Sequence, residues 1–271
     1  MMLFTDRQVS QYLDKIDYCG GTEPTLEHLT TLQRQHLLHI PYENLDLMNG
    51  VPLDLDAGAL FQKMICNRRG GYCFELQGLF CYLLKSLGYS VTQYAGRFMD
   101  EPGDIQMRRH RILVVELEGK RYVCDVGVRS ESPRCPLELT EGLVQTDGIS
   151  EYRYQKDPFF GWVLTQKEAG KDWKPMLGFT EEVQIDVDFV MPSFYCEKHP
   201  DSTFNKFMKV SIFTPDSDLT IVGNTFKVYR GGKVVERREL QTNQEVVTLL
   251  KDTFGIQVPD SYQNFLYRQE E

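Results

Sequence analysis

Apolar residues recur at helical spacing through the first third of the chain. Val9, Tyr12, Leu13 and Ile16 follow Thr5-Asp6-Arg7-Gln8, which has the form of a capping box, and the pattern stops at Gly20-Gly21. A second helix is predicted from Thr25, with Leu29, Leu32 and His36 on one face and an end before Pro41. After Gly70-Gly71, a third begins at Cys73 and carries Phe74, Leu76, Phe80, Leu83, Leu84 and Leu87 up to Gly88. At Ser90 the period changes. Val91 to Arg97, Arg111 to Leu117 and Arg121 to Val128 read as strands, with Glu118-Gly119 as a hairpin turn between the last two. Tyr152 to Tyr154, Phe160 to Leu164 and Phe207 to Phe213 are further strand candidates. Thr225 to Tyr229 and Lys233 to Arg237 flank Arg230-Gly231-Gly232, and a helix is expected over Glu245 to Phe254, closed by Gly255. Helices first, strands next and a mixed tail predict an α+β protein.

Composition narrows the function classes. The 271 residues, 41% hydrophobic, suffice for a substantial core. A formal charge of −9 opposes nonspecific nucleic-acid binding, which needs a basic footprint. The start has no basic segment followed by an apolar run, and no apolar stretch approaches the ~20 residues of a membrane span, so a cytoplasmic, untargeted protein is expected. The seven cysteines (19, 66, 73, 81, 124, 135 and 196) include no CxxC pair and do not group with histidines at zinc spacings. Neither a disulfide framework nor a metal site is predicted.

The most informative stretch is Arg68-Arg69-Gly70-Gly71-Tyr72-Cys73-Phe74-Glu75. A thiol at a helix start lies beside unpaired N–H groups and the positive end of the helix dipole, both of which favour thiolate. The arginines push the same way, and the glycines let backbone approach a substrate. First-turn N–H groups can meet a developing oxyanion. Cys66 and Cys81 lack this context and are read as core residues. A thiol nucleophile needs a base and a group that orients it. His28, His36 and His39 belong to the helical part and are read as surface or core-edge residues, whereas His110 opens a strand. A two-residue Glu118-Gly119 turn pairs Leu117 with Lys120 and sets His110 diagonal to Asp125 on one sheet face, within side-chain reach. A three-residue turn would put them on opposite faces.

These residues resemble the arylamine N-acetyltransferases. Arg69-Gly70-Gly71-Tyr72-Cys73-Phe74-Glu75 is similar to the family's cysteine signature, His39-Ile40-Pro41-Tyr42-Glu43-Asn44-Leu45 to its upstream motif, and Asp125-Val126-Gly127 to its aspartate motif. A weaker match runs from Tyr195 to Phe204, similar to a segment that helps form the coenzyme A and acceptor pocket. The resemblance implies an N-terminal helical bundle, an antiparallel β-barrel and a C-terminal α/β lid, divided at 1–88, 89–200 and 201–271, with a Cys-His-Asp triad in the cleft. It carries the nucleophile to Cys73, the base to His110, the orienting carboxylate to Asp125, and coenzyme A contacts to Tyr195, Thr203 and Phe204. It implies ping-pong acetyl transfer from acetyl-coenzyme A, with no permanently bound cofactor, to small aromatic amines or hydrazines; it leaves the oligomeric state open.

The sequence departs from the family pattern twice. Gln77 stands where the family usually has Asn, which predicts a rearranged supporting hydrogen bond. Val128-Arg129 replaces Phe-Gly, removing an aromatic wall and adding a charge. The pairs Arg68-Arg69 and Arg108-Arg109 are candidate phosphate contacts, weighed against a solvated face and kept out of the expected site. An amide synthase of the same family and a papain-like thiol hydrolase use the same constellation, and a binding or redox module needs only the reactive thiol.

Overall fold

A computed structural model of the chain describes residues 3–99, 105–128 and 133–266. Its helices are α1 (Asp6–Lys15), α2 (Leu26–His39), α3 (Leu45–Met48), α4 (Ala57–Phe61), α5 (Cys73–Ser86), α6 (Val190–Lys198) and α7 (Asn243–Asp252). The expected caps form: the Thr5 side chain accepts from the Gln8 N–H and Thr25 from the His28 N–H. Every residue of α5 from Cys73 to Leu84 is buried, so this helix is the axis of the first core rather than an amphipathic cover.

The first group of strands is β1 (Tyr42–Glu43), β2 (Ser90–Phe98), β3 (His110–Leu117), β4 (Lys120–Cys124), β5 (Leu137–Glu138) and β6 (Gln145–Thr146). Then come β7 (Glu151–Asp157), β8 (Gly161–Lys167), β9 (Lys174–Gln184), β10 (Lys209–Phe213), β11 (Asp218–Val222), β12 (Thr225–Arg230) and β13 (Lys233–Glu239). An antiparallel sheet in the order β5-β4-β3-β2-β9-β8-β7-β6 curls into a nearly closed barrel. Its two edges meet through Gln145, whose side chain accepts from the Glu138 N–H and donates to the Glu138 carbonyl. Ile112, Val114, Val123, Tyr152, Tyr154, Trp162 and Leu164 fill its interior. The opposite side of β3, through Leu113 and Val115, packs with α5 in the first core. A second sheet, β1-β10-β11-β12-β13, shares the second core with α7.

The Glu118-Gly119 turn is the two-residue form: φ is positive at both residues (52° and 75°) and Leu117 pairs with Lys120. Two strands are shorter than expected: β10 starts at Lys209 rather than Phe207, and β4 ends early. The ladder of β4 ends at Cys124, not Val128, because the Gly127 N–H bonds back to Asp125 Oδ1 and the Val126 N–H bonds to Gln77, turning the chain off the sheet. Helix α6, the long strand β9 and strand β11 were not anticipated. Val190, Met191 and Phe194 of α6 face solvent while polar Ser193 and Glu197 are buried, the reverse of a readable stripe. His36 is fully buried, its Nδ1 hydrogen-bonded with the Tyr12 hydroxyl at 2.6 Å, and is a core residue rather than a core-edge one. Cys81 is buried as expected, whereas Cys66 is exposed.

Candidate active site

Cys73 is the first residue of α5, and its sulfur receives the Phe74 backbone N–H. Two close approaches put it there. A β-carbon on Gly70 would lie 2.1 Å from the Pro41 carbonyl oxygen, and one on Gly71 would lie 2.9 Å from Glu75 Cβ. The Gly71 N–H donates to Pro41 O and the Glu43 N–H donates to Gly71 O, so the glycines seat the cysteine loop on the upstream motif rather than opening it to a substrate.

Arg69 is likewise turned inward. Its guanidinium lies 2.7 Å from Glu43 Oε1 and 2.6 Å from Asp46 Oδ1, and Lys63 bridges Asp46 and Glu75 at 2.7 Å each. Burial opposes charge throughout this network, yet Lys63 and Arg69 keep the Asp46 carboxyl down at about 2, while at Glu75 burial dominates and raises the carboxyl to about 7. The Glu75 carboxylate also accepts from the Tyr72 N–H ahead of the helix. The expected push of Arg69 on the thiol is therefore absent, because its charge is spent on Glu43 and Asp46. Instead burial, joined by Cys196 and Asp125, pushes the Cys73 thiol well above its ordinary range, against weaker pulls from the Phe74 N–H and Arg109.

His110 and Asp125 meet at the barrel mouth, where His110 Nε2 donates to Asp125 Oδ2 at 2.7 Å. His110 Nδ1 is buried and has no hydrogen-bond partner among the described residues. Cys73 Sγ lies 3.8 Å from the carbonyl oxygen of Arg109, the residue before His110. Exposure is 2% at Cys73, 0% at His110 and 6% at Asp125, so the group is nearly dry.

Gln77 holds this arrangement. Its Nε2 donates to Arg111 O (2.9 Å) and Cys124 O (3.5 Å), and its Oε1 accepts from the Val126 N–H (3.1 Å). Gln33, which no motif in the sequence marks, donates to the carbonyls of Asp125 and Pro133. At Gly127 a β-carbon would lie 2.8 Å from Gln77 Cγ and 3.0 Å from Cys73 O, which explains the glycine after the aspartate.

Phe98 packs its ring 5.0 Å from that of His110, and both Phe98 and Asp125 line a cavity of about 790 Å³ that also reaches Val128, Leu164, Met176 and Tyr229. Val128 leaves this wall aliphatic; Arg129 lies outside the described residues. Of the expected coenzyme A contacts, Phe204 is buried edge-on to Tyr72 at 6.0 Å. The Thr203 hydroxyl accepts from Lys209 Nζ, which in turn lies 4.3 Å over the Phe204 ring. Tyr195 stacks on His199 instead. Among the basic pairs, Arg69 is buried in its ion network and Arg108 is bound to Glu182, so neither offers a free phosphate contact. All seven cysteines are free, and no helix among the described residues is long and apolar enough to cross a membrane.

The sequence model of the N-acetyltransferase family matches residues 25–262. The arylamine N-acetyltransferase of Mycobacterium tuberculosis is 36% identical over 260 residues, covering 93% of this chain and 90% of the relative. That of Escherichia coli is 32% identical over 259 residues, covering 95% and 92%. The solved arylamine N-acetyltransferase from Salmonella typhimurium superposes with a TM-score of 0.89 at 31% identity, covering 97% of this chain and 96% of that one. The Mycobacterium marinum enzyme in complex with CoA superposes with a TM-score of 0.84 at 36% identity, covering 92% of both chains.

Proposed function

The chain belongs to the arylamine N-acetyltransferase family of acyltransferases, and on that premise we propose that it moves an acetyl group from acetyl-coenzyme A to the nitrogen of an arylamine or arylhydrazine through a thioester on Cys73. The observation that carries this reading is the 2.7 Å bond from His110 Nε2 to Asp125, which leaves Nδ1 as the ring nitrogen able to accept a proton.

Burial makes a solitary Cys73 thiolate unfavourable. The thiol proton therefore passes to His110 Nδ1, and Asp125 stabilises the resulting imidazolium. Sγ attacks the thioester carbonyl, its new C–S bond replaces the bond to coenzyme A, and the imidazolium returns the proton to the departing thiolate. The Phe74 N–H, already directed at Sγ, is the first-turn donor nearest the developing negative charge. In the second half-reaction the amine attacks the acyl-enzyme carbonyl, its proton passes to His110, and the C–Sγ bond breaks to release the amide and Cys73, which takes the proton back from His110. A site with 2% exposure at the sulfur protects the thioester from water, which favours a transferase over a thiol hydrolase.

The reading assigns Tyr195, Thr203 and Phe204 to coenzyme A contact and keeps the three-part division at 1–88, 89–200 and 201–271. The first part carries the nucleophile, the second the His–Asp pair and the third the lid, in an enzyme of the cytoplasm. Its test is intact mass and peptide mapping after mixing with acetyl-coenzyme A alone. One acetyl group should appear on Cys73, persist in water and vanish when an anisidine is added. Rapid hydrolysis of the adduct, or its survival in Cys73→Ala, overturns the reading.

A further inference from the structure

Arg109 differs from the arginines around it. Arg69, Arg108 and Arg111 each hold a carboxylate at 2.6 or 2.7 Å. Arg109 makes no ion pair among the described residues; its Nη2 donates to the neutral amide oxygen of Gln106 at 3.0 Å, and its Nε is buried with no hydrogen-bond partner. The guanidinium lies 5.5 Å over the ring of Phe204, which stands edge-on to Tyr72, the residue before the nucleophile. Its own carbonyl oxygen is 3.8 Å from Cys73 Sγ. Lys209 adds a second cation over the same ring.

A desolvated N–H without an acceptor is destabilising, and the face of Phe204 offsets only part of that. The arrangement calls for an anion. Coenzyme A phosphates are poor candidates, because with the thioester carbon at Sγ the whole pantetheine arm separates them from Arg109. The guanidinium shares the Phe204 ring with Tyr72, the neighbour of Cys73, so the group carried on Sγ is the part of the substrate it can meet.

We propose that Arg109 is a donor-specificity residue that admits acyl groups ending in a carboxylate, the malonyl and succinyl class, by gripping the terminal carboxylate with its guanidinium while Sγ attacks the thioester carbonyl. The proposal rests on the acyl-transfer reading above. Its chemistry is unchanged: the acyl carbon leaves the coenzyme A sulfur for Sγ, the proton returns through His110, and the terminal carboxylate stays ionised as a spectator held by Arg109.

The test compares kcat/KM for acetyl- and malonyl-coenzyme A with one arylamine in the wild type and in Arg109→Gln. The malonyl-to-acetyl ratio should fall about tenfold to a hundredfold in the variant, the worth of a charge-assisted hydrogen bond. A wild type that takes acetyl but not malonyl or succinyl donors overturns the proposal and leaves the acetyl-transfer reading standing. An equal fall with both donors also overturns it, assigning Arg109 to the thiol alone. If Cys73 is acylated by no donor, the acyl-transfer reading itself has failed. Should Arg109→Gln not fold, alkylation of wild-type Cys73 decides: malonate should slow it more than acetate at equal concentration, and equal protection overturns the assignment.

Discussion

Gln77 reaches from the second turn of α5 to the carbonyl of Arg111, the residue after His110, at 2.9 Å. The same amide binds Val126 N, the residue after Asp125, at 3.1 Å. One neutral side chain therefore sets the cysteine helix against both members of the His–Asp pair. The Gln77 side chain satisfies both strand ends.

Replacing Gln77 with Leu leaves the Arg111 and Cys124 carbonyls and the Val126 N–H without their partner. The expected cost is about 2–4 kcal/mol of stability. Acetyl transfer should fall further than the folded fraction does. Urea unfolding beside kcat measured on the folded protein checks this; a kcat equal to wild type would show that Gln77 supports the fold alone.

Asp125→Asn should lower acetyl transfer on the order of 10²–10⁴-fold while the protein stays folded. The sign on Cys73 follows from its burial. Its thiolate exists above an apparent pKa that burial raises most, with Cys196 and Asp125 adding to the rise. Removing the charge of Asp125 takes away one of these contributions, so the onset of Cys73 alkylation by iodoacetamide should move to lower pH. A profile unchanged by the substitution would dissociate Asp125 from ionisation of the thiol.

Gly127→Ala puts a methyl group against Gln77 Cγ and the backbone of Cys73, at 2.8 to 3.1 Å. The expected loss is about 1–3 kcal/mol. Because the clash pushes Asp125 and Cys73 apart, kcat should drop as well. Thermal unfolding and single-turnover acetylation of Cys73 measure the two effects separately.

His36 carries a pH prediction unrelated to the reaction. Burial, with smaller contributions from His39 and Lys15, lowers its pKa from 6.5 to about 3. Between those values the unfolded chain takes up a proton that the folded chain refuses, so stability rises with pH there and is lost as pH falls below 6.5. From well above 6.5 down to pH 5 the loss should be about 2 kcal/mol. Urea unfolding of wild type and His36→Gln at pH 7.5 and 5 checks it, the variant showing the smaller drop.

The sequence by itself determined the local parts. Capping residues Thr5 and Thr25, the unbroken apolar run of α5 and the two-residue turn at Glu118-Gly119 are written in short stretches of chain, because caps, helical period and turn conformation depend on neighbours a few residues away. That turn was enough to put His110 and Asp125 on one face. Tertiary structure decided how each charge is used. Arg69 and Arg109 look alike in sequence, yet one is spent on Glu43 and Asp46 and the other faces Phe204 beside Tyr72. The ionisation of Cys73 likewise depends on burial among Tyr72, Cys196 and Asp125, which come together only on folding. Helix α6 and Gln33 were illegible for the same reason: their roles are set by long-range contacts, and an electrostatic environment is a property of distance in space, which sequence spacing encodes only within a turn or a hairpin.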